Sequence, residues 1–172
     1  MLHRACLVIV VLLTPLVLTP APAAAQQQAG DVELQFTGSY FSTVGADVSF
    51  AAGFLQGKGS YFFTDRVELG AFPSVGISRA GSGVTDYSIG LGVFGSYSFL
   101  MEDATTVPYL GFQWWKQDLD ADVNWIGLNG GFKFFFSPQV ALDVGANYLT
   151  DSSDMSQGLV LFQTGLSFLF RR

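Results

Sequence analysis

Charge is scarce in this chain. Only 13% of its 172 residues are Asp, Glu, Lys or Arg, against roughly 25% in an ordinary soluble domain. Basic residues are scarcer still, eight against fourteen acidic ones, for a net charge of −6 and a pI near 4.4. That balance excludes nucleic acid as a partner, since little basic surface is left to neutralise phosphates. There is one cysteine and one histidine. Both fall in the first segment, MLHRACLVIVVLLTPLVLTPAPAAA. There His3 and Arg4 make a short basic start, Leu7 to Leu18 an apolar run, and Ala23 and Ala25 the small residues of a cleavage site. The pattern is that of a secretory signal peptide over residues 1–25, cut after Ala25. The run is broken by Pro15 and falls short of the ~20 apolar residues that a membrane anchor needs. Cys6 precedes the apolar run, which excludes lipid attachment at a cysteine following it.

Removal of this segment leaves residues 26–172 as one domain without cysteine or histidine. No disulfide, thiol nucleophile or imidazole base is then available, so Ser-His, Cys-His and His-ligated metal chemistry are excluded. The expectation is a protein with no catalytic residues, no metal and no cofactor. Long apolar runs are also absent beyond residue 25, so no transmembrane helix is predicted.

What is present is alternation of period two, in segment after segment. Val32, Leu34, Phe36 and Tyr40 alternate with Glu33, Gln35, Thr37 and Ser39. Val67, Leu69, Ala71, Val75 and Ile77 alternate with Glu68, Gly70, Ser74 and Gly76. Tyr87 to Phe99, Ile126 to Phe136, Val140 to Tyr148 and Val160 to Phe170 follow the same rule, and Leu110, Phe112 and Trp114 oppose Tyr109, Gly111 and Gln113. Between Phe50 and Phe63 the apolar parity slips from even to odd, which predicts a β-bulge near residues 52–55. The count is eight strands, each long enough to cross a bilayer at a tilt. Connections alternate too: Thr64–Arg66 and Ser137–Gln139 are tight, whereas Thr43–Ala51, Arg79–Asp86, Lys116–Asn124 and Thr150–Gln157 are longer. Short turns at one rim and long loops at the other define an up-and-down barrel with both termini on the short-turn side.

The polar parity is mostly Ser, Thr, Gly, Gln and Asn, which suits a narrow interior better than a water-facing wall. A soluble lipocalin-like carrier would reverse the faces, with its apolar side around a ligand. Aromatics at both ends of the apolar parity favour the membrane arrangement: Tyr40, Tyr87, Trp114, Trp125 and Tyr148 near the long loops, and Phe63, Phe99, Tyr109 and Phe136 near the short turns. In hydrocarbon an open sheet edge is excluded, so first and last strands must pair. Five charges fall on the inward parity: Glu33, Lys58, Glu68, Lys133 and Asp143. With the turn centred on Pro138, Lys133 stands opposite Asp143, and a salt bridge between them is expected, because an unpaired charge there is costly. Such charges read as a structural plug or as a gated path for small ions. Asp118, Asp120, Asp122 and Asn124 are spaced like the start of a calcium loop, but Val123 and Asn129 replace its Gly and Glu; a solvated acidic loop is the favoured reading.

On these features the chain resembles the small eight-stranded outer-membrane barrels of the OmpA/OmpX type over about residues 31–170. The most specific element is the end, where Gln163, Gly165, Phe168 and Phe170 are similar to the C-terminal assembly signal of such proteins, with Arg171 and Arg172 added beyond it. The resemblance implies an all-β, eight-stranded antiparallel transmembrane β-barrel in the outer membrane, both termini periplasmic. It also implies a monomer whose partners are outer-membrane lipid, lipopolysaccharide and the barrel-assembly machinery. The role it implies is structural or surface-interactive, with a narrow gated channel as the alternative. Lipid-A-modifying barrels of this size use a His, which residues 26–172 lack.

Overall fold

Alternating apolar and polar residues put one side chain set on each face of a strand, and here every face has somewhere to go. The computed structural model describes residues 27–42, 50–80, 83–101, 105–153, 155–156 and 158–171. The export segment expected at 1–25 and most of the 43–51 loop lie outside the described residues. The strands are β1 (Val32–Ser42), β2 (Phe50–Phe62), β3 (Val67–Ala80), β4 (Thr85–Ser98), β5 (Thr106–Lys116), β6 (Trp125–Ser137), β7 (Val140–Asp151) and β8 (Gly158–Phe170). Each pairs antiparallel with the next, and β8 pairs with β1 to close the barrel. The closing ladder runs from Val32 opposite Phe170 to Ser39 opposite Gln163, so the two end strands cover each other's edge over most of their length.

One rim carries the turns at 63–66 and 138–139 and the facing ends of β4 and β5, together with both described chain ends; the other carries the connection 117–124 and the facing ends of β3 and β4 and of β7 and β8. The tight turns are held by hydroxyl acceptors. Thr64 Oγ1 accepts from the Arg66 and Val67 amides, and Ser137 Oγ from those of Gln139 and Val140, the local competition for backbone donors that favours Ser and Thr in turns. Gly30, at φ 93°, turns the incoming chain so that the Ala29 amide donates to Asp65 Oδ1.

The predicted bulge at 52–55 is absent. The β1–β2 register is unbroken from Val32 opposite Tyr61 to Ser42 opposite Ala51, and the register shift in the β6–β7 pair falls instead between Phe135 and Ser137. The apparent slip has a different cause: the even positions Ala52, Phe54 and Phe62 point into the barrel and are buried there, while Leu55 and Tyr61 point out. Both faces of β2 are apolar, so parity alone misreads it.

The interior is layered. Toward the short turns, Phe62, Val107, Phe135, Ala141 and Leu169 form one apolar cluster with Leu100 against it. Toward the long loops, Ala52, Phe54, Phe72, Phe94, Trp115, Leu149 and Leu161 form a second, with Trp125 and Leu159 packed against it. The buried charges lie between them.

Candidate functional site

All five inward charges are buried, each at 4% exposure or less. Two runs of neighbouring strands on opposite walls deliver them: Glu33 from β1, Lys58 from β2 and Glu68 from β3, with Lys133 from β6 and Asp143 from β7. Lys133 is the hub. Its Nζ lies 2.6 Å from Glu33 Oε2 and 3.3 Å from Glu68 Oε1, and it stands over the rings of Phe62 and Tyr109. Glu68 accepts further bonds from Ser60 Oγ at 3.0 Å and from Ser96 Oγ. The charge-assisted bonds to this one ammonium thus tie β6 across the lumen to β1 and β3.

The register does place Lys133 opposite Asp143, but the expected salt bridge between them is not made. Asp143 instead accepts from the Tyr109 hydroxyl at 3.0 Å, and the Gln163 amide nitrogen donates to that same hydroxyl at 3.5 Å. A flat register argument cannot see across a closed lumen, where Glu33 and Glu68 come nearer to Lys133 than its own neighbour on β7. Lys58 has no carboxylate within hydrogen-bond reach among the described residues; its Nζ sits 5.8 and 5.5 Å from the ring centroids of Phe72 and Phe94, a cation–π placement on the loop-side cluster.

The aromatic positions divide. Tyr40, Tyr87, Tyr148, Phe63 and Phe99 project outward and are exposed, and Trp114 is half-buried on the outward parity. Tyr109 does not belong to the outer belt: it is 8% exposed and bonded inside. Trp125 packs against the loop-side interior cluster, because in β6 the odd positions face inward with Asn129, Lys133 and Phe135. Phe136 is half-buried at the bulge. The short-turn belt gains two members that the sequence reading left out, Tyr61 edge-on to Phe63 and Tyr97 edge-on to Phe99; both are exposed residues of outward parity two positions from a named Phe, which was the available signal.

Sequence reading also missed the ring-filled interior. Its signal lies in the glycines. Phe54 stands opposite Gly76, Phe72 opposite Gly92 and Phe94 opposite Gly70. A Cβ at Gly70 would lie 2.7 Å from the Phe94 ring and one at Gly76 2.9 Å from Phe54, while one at Gly92 would overlap Phe72. Each of these three inward glycines makes space that a cross-strand ring fills.

In β8, Gln163 is buried and accepts from Asn147 Nδ2 at 3.0 Å. Gly165 lies where a Cβ would strike the Phe36 carbonyl and Thr37, and Phe168 and Phe170 face outward. In the 117–124 loop, Asp118 Oδ1 accepts from the Asp120 amide and Asn124 donates to the Asp122 carbonyl. Among the described residues no three acidic, His or Cys side chains converge as a metal site would require.

No family model matches this sequence, and no curated protein matches it. The fold does have counterparts among solved structures. The N-terminal β-barrel domain of Pseudomonas aeruginosa OprF aligns over 84% of this chain and 100% of its own, with TM-score 0.59 and 17% identity. Neisserial surface protein A aligns over 81% of this chain and 96% of its own, with TM-score 0.55 and 17% identity. A de novo designed transmembrane β-barrel aligns over 84% of this chain and 99% of its own, with TM-score 0.54 and 16% identity. The fold is that of the small eight-stranded membrane barrels. A designed protein shares it, so the architecture itself carries no particular activity.

Proposed function

We propose that this chain is an integral barrel of a bacterial outer membrane, anchored by its apolar wall and closed to solute flow. Its role is in envelope integrity or in surface contact through the long loops, without catalysis. The observation that carries the reading is the order of the interior: a charged layer sealed on both sides by apolar clusters, inside a wall that exposes Phe36, Leu55, Ile89, Phe112 and Phe162 to its surroundings. A carrier of lipocalin type keeps an apolar chamber free inside and polar groups outside; here the chamber is filled and the outside is apolar. The short turns face the periplasm in this reading. Lipid, lipopolysaccharide and the barrel-assembly machinery, the last through Gln163, Gly165, Phe168 and Phe170, are the partners it entails.

The test is fractionation joined to electrophoresis. The protein should sediment with outer membranes and run faster unboiled than boiled on SDS gels. Reconstituted in planar bilayers it should show no discrete conductance steps. A chain that stays monodisperse in plain buffer would refute the membrane reading, and steady current steps would replace the sealed plug with a narrow channel.

A further inference from the structure

The outer wall is not evenly convex. A hollow of about 640 Å³ lies on its loop-side half, floored by Gly38 of β1 and Gly53 of β2 and walled by Tyr40, Leu55, Ile77 and Phe162. These two glycines differ from the inward ones. A Cβ at Gly38 would meet its nearest atom at 3.5 Å and one at Gly53 at 3.6 Å, so the barrel's own packing has room for a side chain at both. What their hydrogens preserve is the hollow. The ladder from β1 to β8 stops beside it, at Ser39 and Gln163, although both strands run on. Above it, Arg79 follows Ile77 by two residues on β3 and so leaves the same outward face, exposed, about 7 Å nearer the long-loop rim.

We propose that this hollow seats one phosphate-bearing membrane lipid from the leaflet on the long-loop side, an acyl chain lying over Gly38 and Gly53 and the phosphate on the Arg79 guanidinium. The inference rests on the membrane reading above. Inside a bilayer a chain gains nothing from leaving water, so selectivity must come from close van der Waals packing and a polar contact. A groove between raised rings supplies the first. The planar guanidinium, which pairs with phosphate oxygens through two parallel donors, supplies the second.

The experiment uses the chain without residues 1–25, inserted into vesicles of equal parts phosphatidylglycerol and a phosphate-free glycosyl diacylglycerol with matched chains. After extraction in mild detergent, native mass spectrometry counts retained lipid. One phosphatidylglycerol per barrel is expected. Gly53→Leu, which fills the space over which the acyl chain would lie, should lower its retention severalfold. Gly59→Leu, at an outward glycine outside the hollow whose Cβ would also fit, at 3.8 Å from Leu34, should leave it unchanged. Arg79→Gln should abolish the preference for the phosphate-bearing lipid. Gly38→Val stands in if Gly53→Leu does not close. Equal retention by the hollow-filling variants and the parent overturns the proposal, as does an undiminished preference in Arg79→Gln. Heat-modifiable migration is read on every sample, so a failure to insert, which would refute the membrane reading, is told apart from an inserted barrel that holds no lipid.

Discussion

Lys133 shows how much one side chain can hold in a closed interior. It is the shared donor to two buried carboxylates on two other strands. Removing one partner of a buried ion network leaves the rest uncompensated, typically at a cost of about 3–5 kcal/mol, whereas removing the facing charges together with it leaves none of the three unbalanced and lifts that penalty. Lys133→Met should therefore destabilise the barrel by about that amount in urea titrations of the lipid-embedded protein. The triple variant Lys133→Met/Glu33→Gln/Glu68→Gln should recover most of the loss. A triple variant no better than the single one would show that the ammonium matters for something other than balancing charge. The five buried charges were legible in the sequence because parity marks them one strand at a time. Their partners were not, because pairing across the lumen depends on closure and strand tilt, which no stretch of two adjacent strands contains.

At the scale of strands, the outward face was readable wherever one parity was apolar and the other mostly small or polar, as in β1 and, despite a single inward ring each (Phe72 and Phe94), in β3 and β4. It failed where large rings occupy the inward parity, as in β2, and where an inward Tyr or Trp lies close to a rim, as with Tyr109 and Trp125. The missing information was that a ring can point inward if its cross-strand neighbour is glycine. That pairing is directly testable at Phe72 and Gly92, which face each other. Gly92→Ala places a methyl where the Phe72 ring lies and should cost about 1–3 kcal/mol by overpacking. Combining it with Phe72→Leu, which withdraws the ring, should leave a smaller loss than the two single losses added together. Strictly additive losses in the same urea titrations would separate the glycine from the ring.

For the whole molecule, the proposed plug amounts to the two interior clusters acting as seals in series. An apolar constriction blocks ions by excluding water, and two such constrictions must both be wetted before current flows. Phe62 belongs to the short-turn cluster and Trp115 to the loop-side cluster, and both are fully buried. Phe62→Ser alone, or Trp115→Ser alone, should leave planar-bilayer conductance at the parent level, because the intact cluster still excludes water. The double variant should conduct, and its current should rise further when Lys133→Met removes the ammonium bridging the lumen between the seals. If either single variant conducts as well as the double, one cluster is no barrier, and the barrel is a narrow channel with a single gate. This outcome is decided by the order of layers along the axis rather than by any one residue, which is why a count of charges and hydroxyls in the sequence could set out the plug and the ion path but could not choose between them.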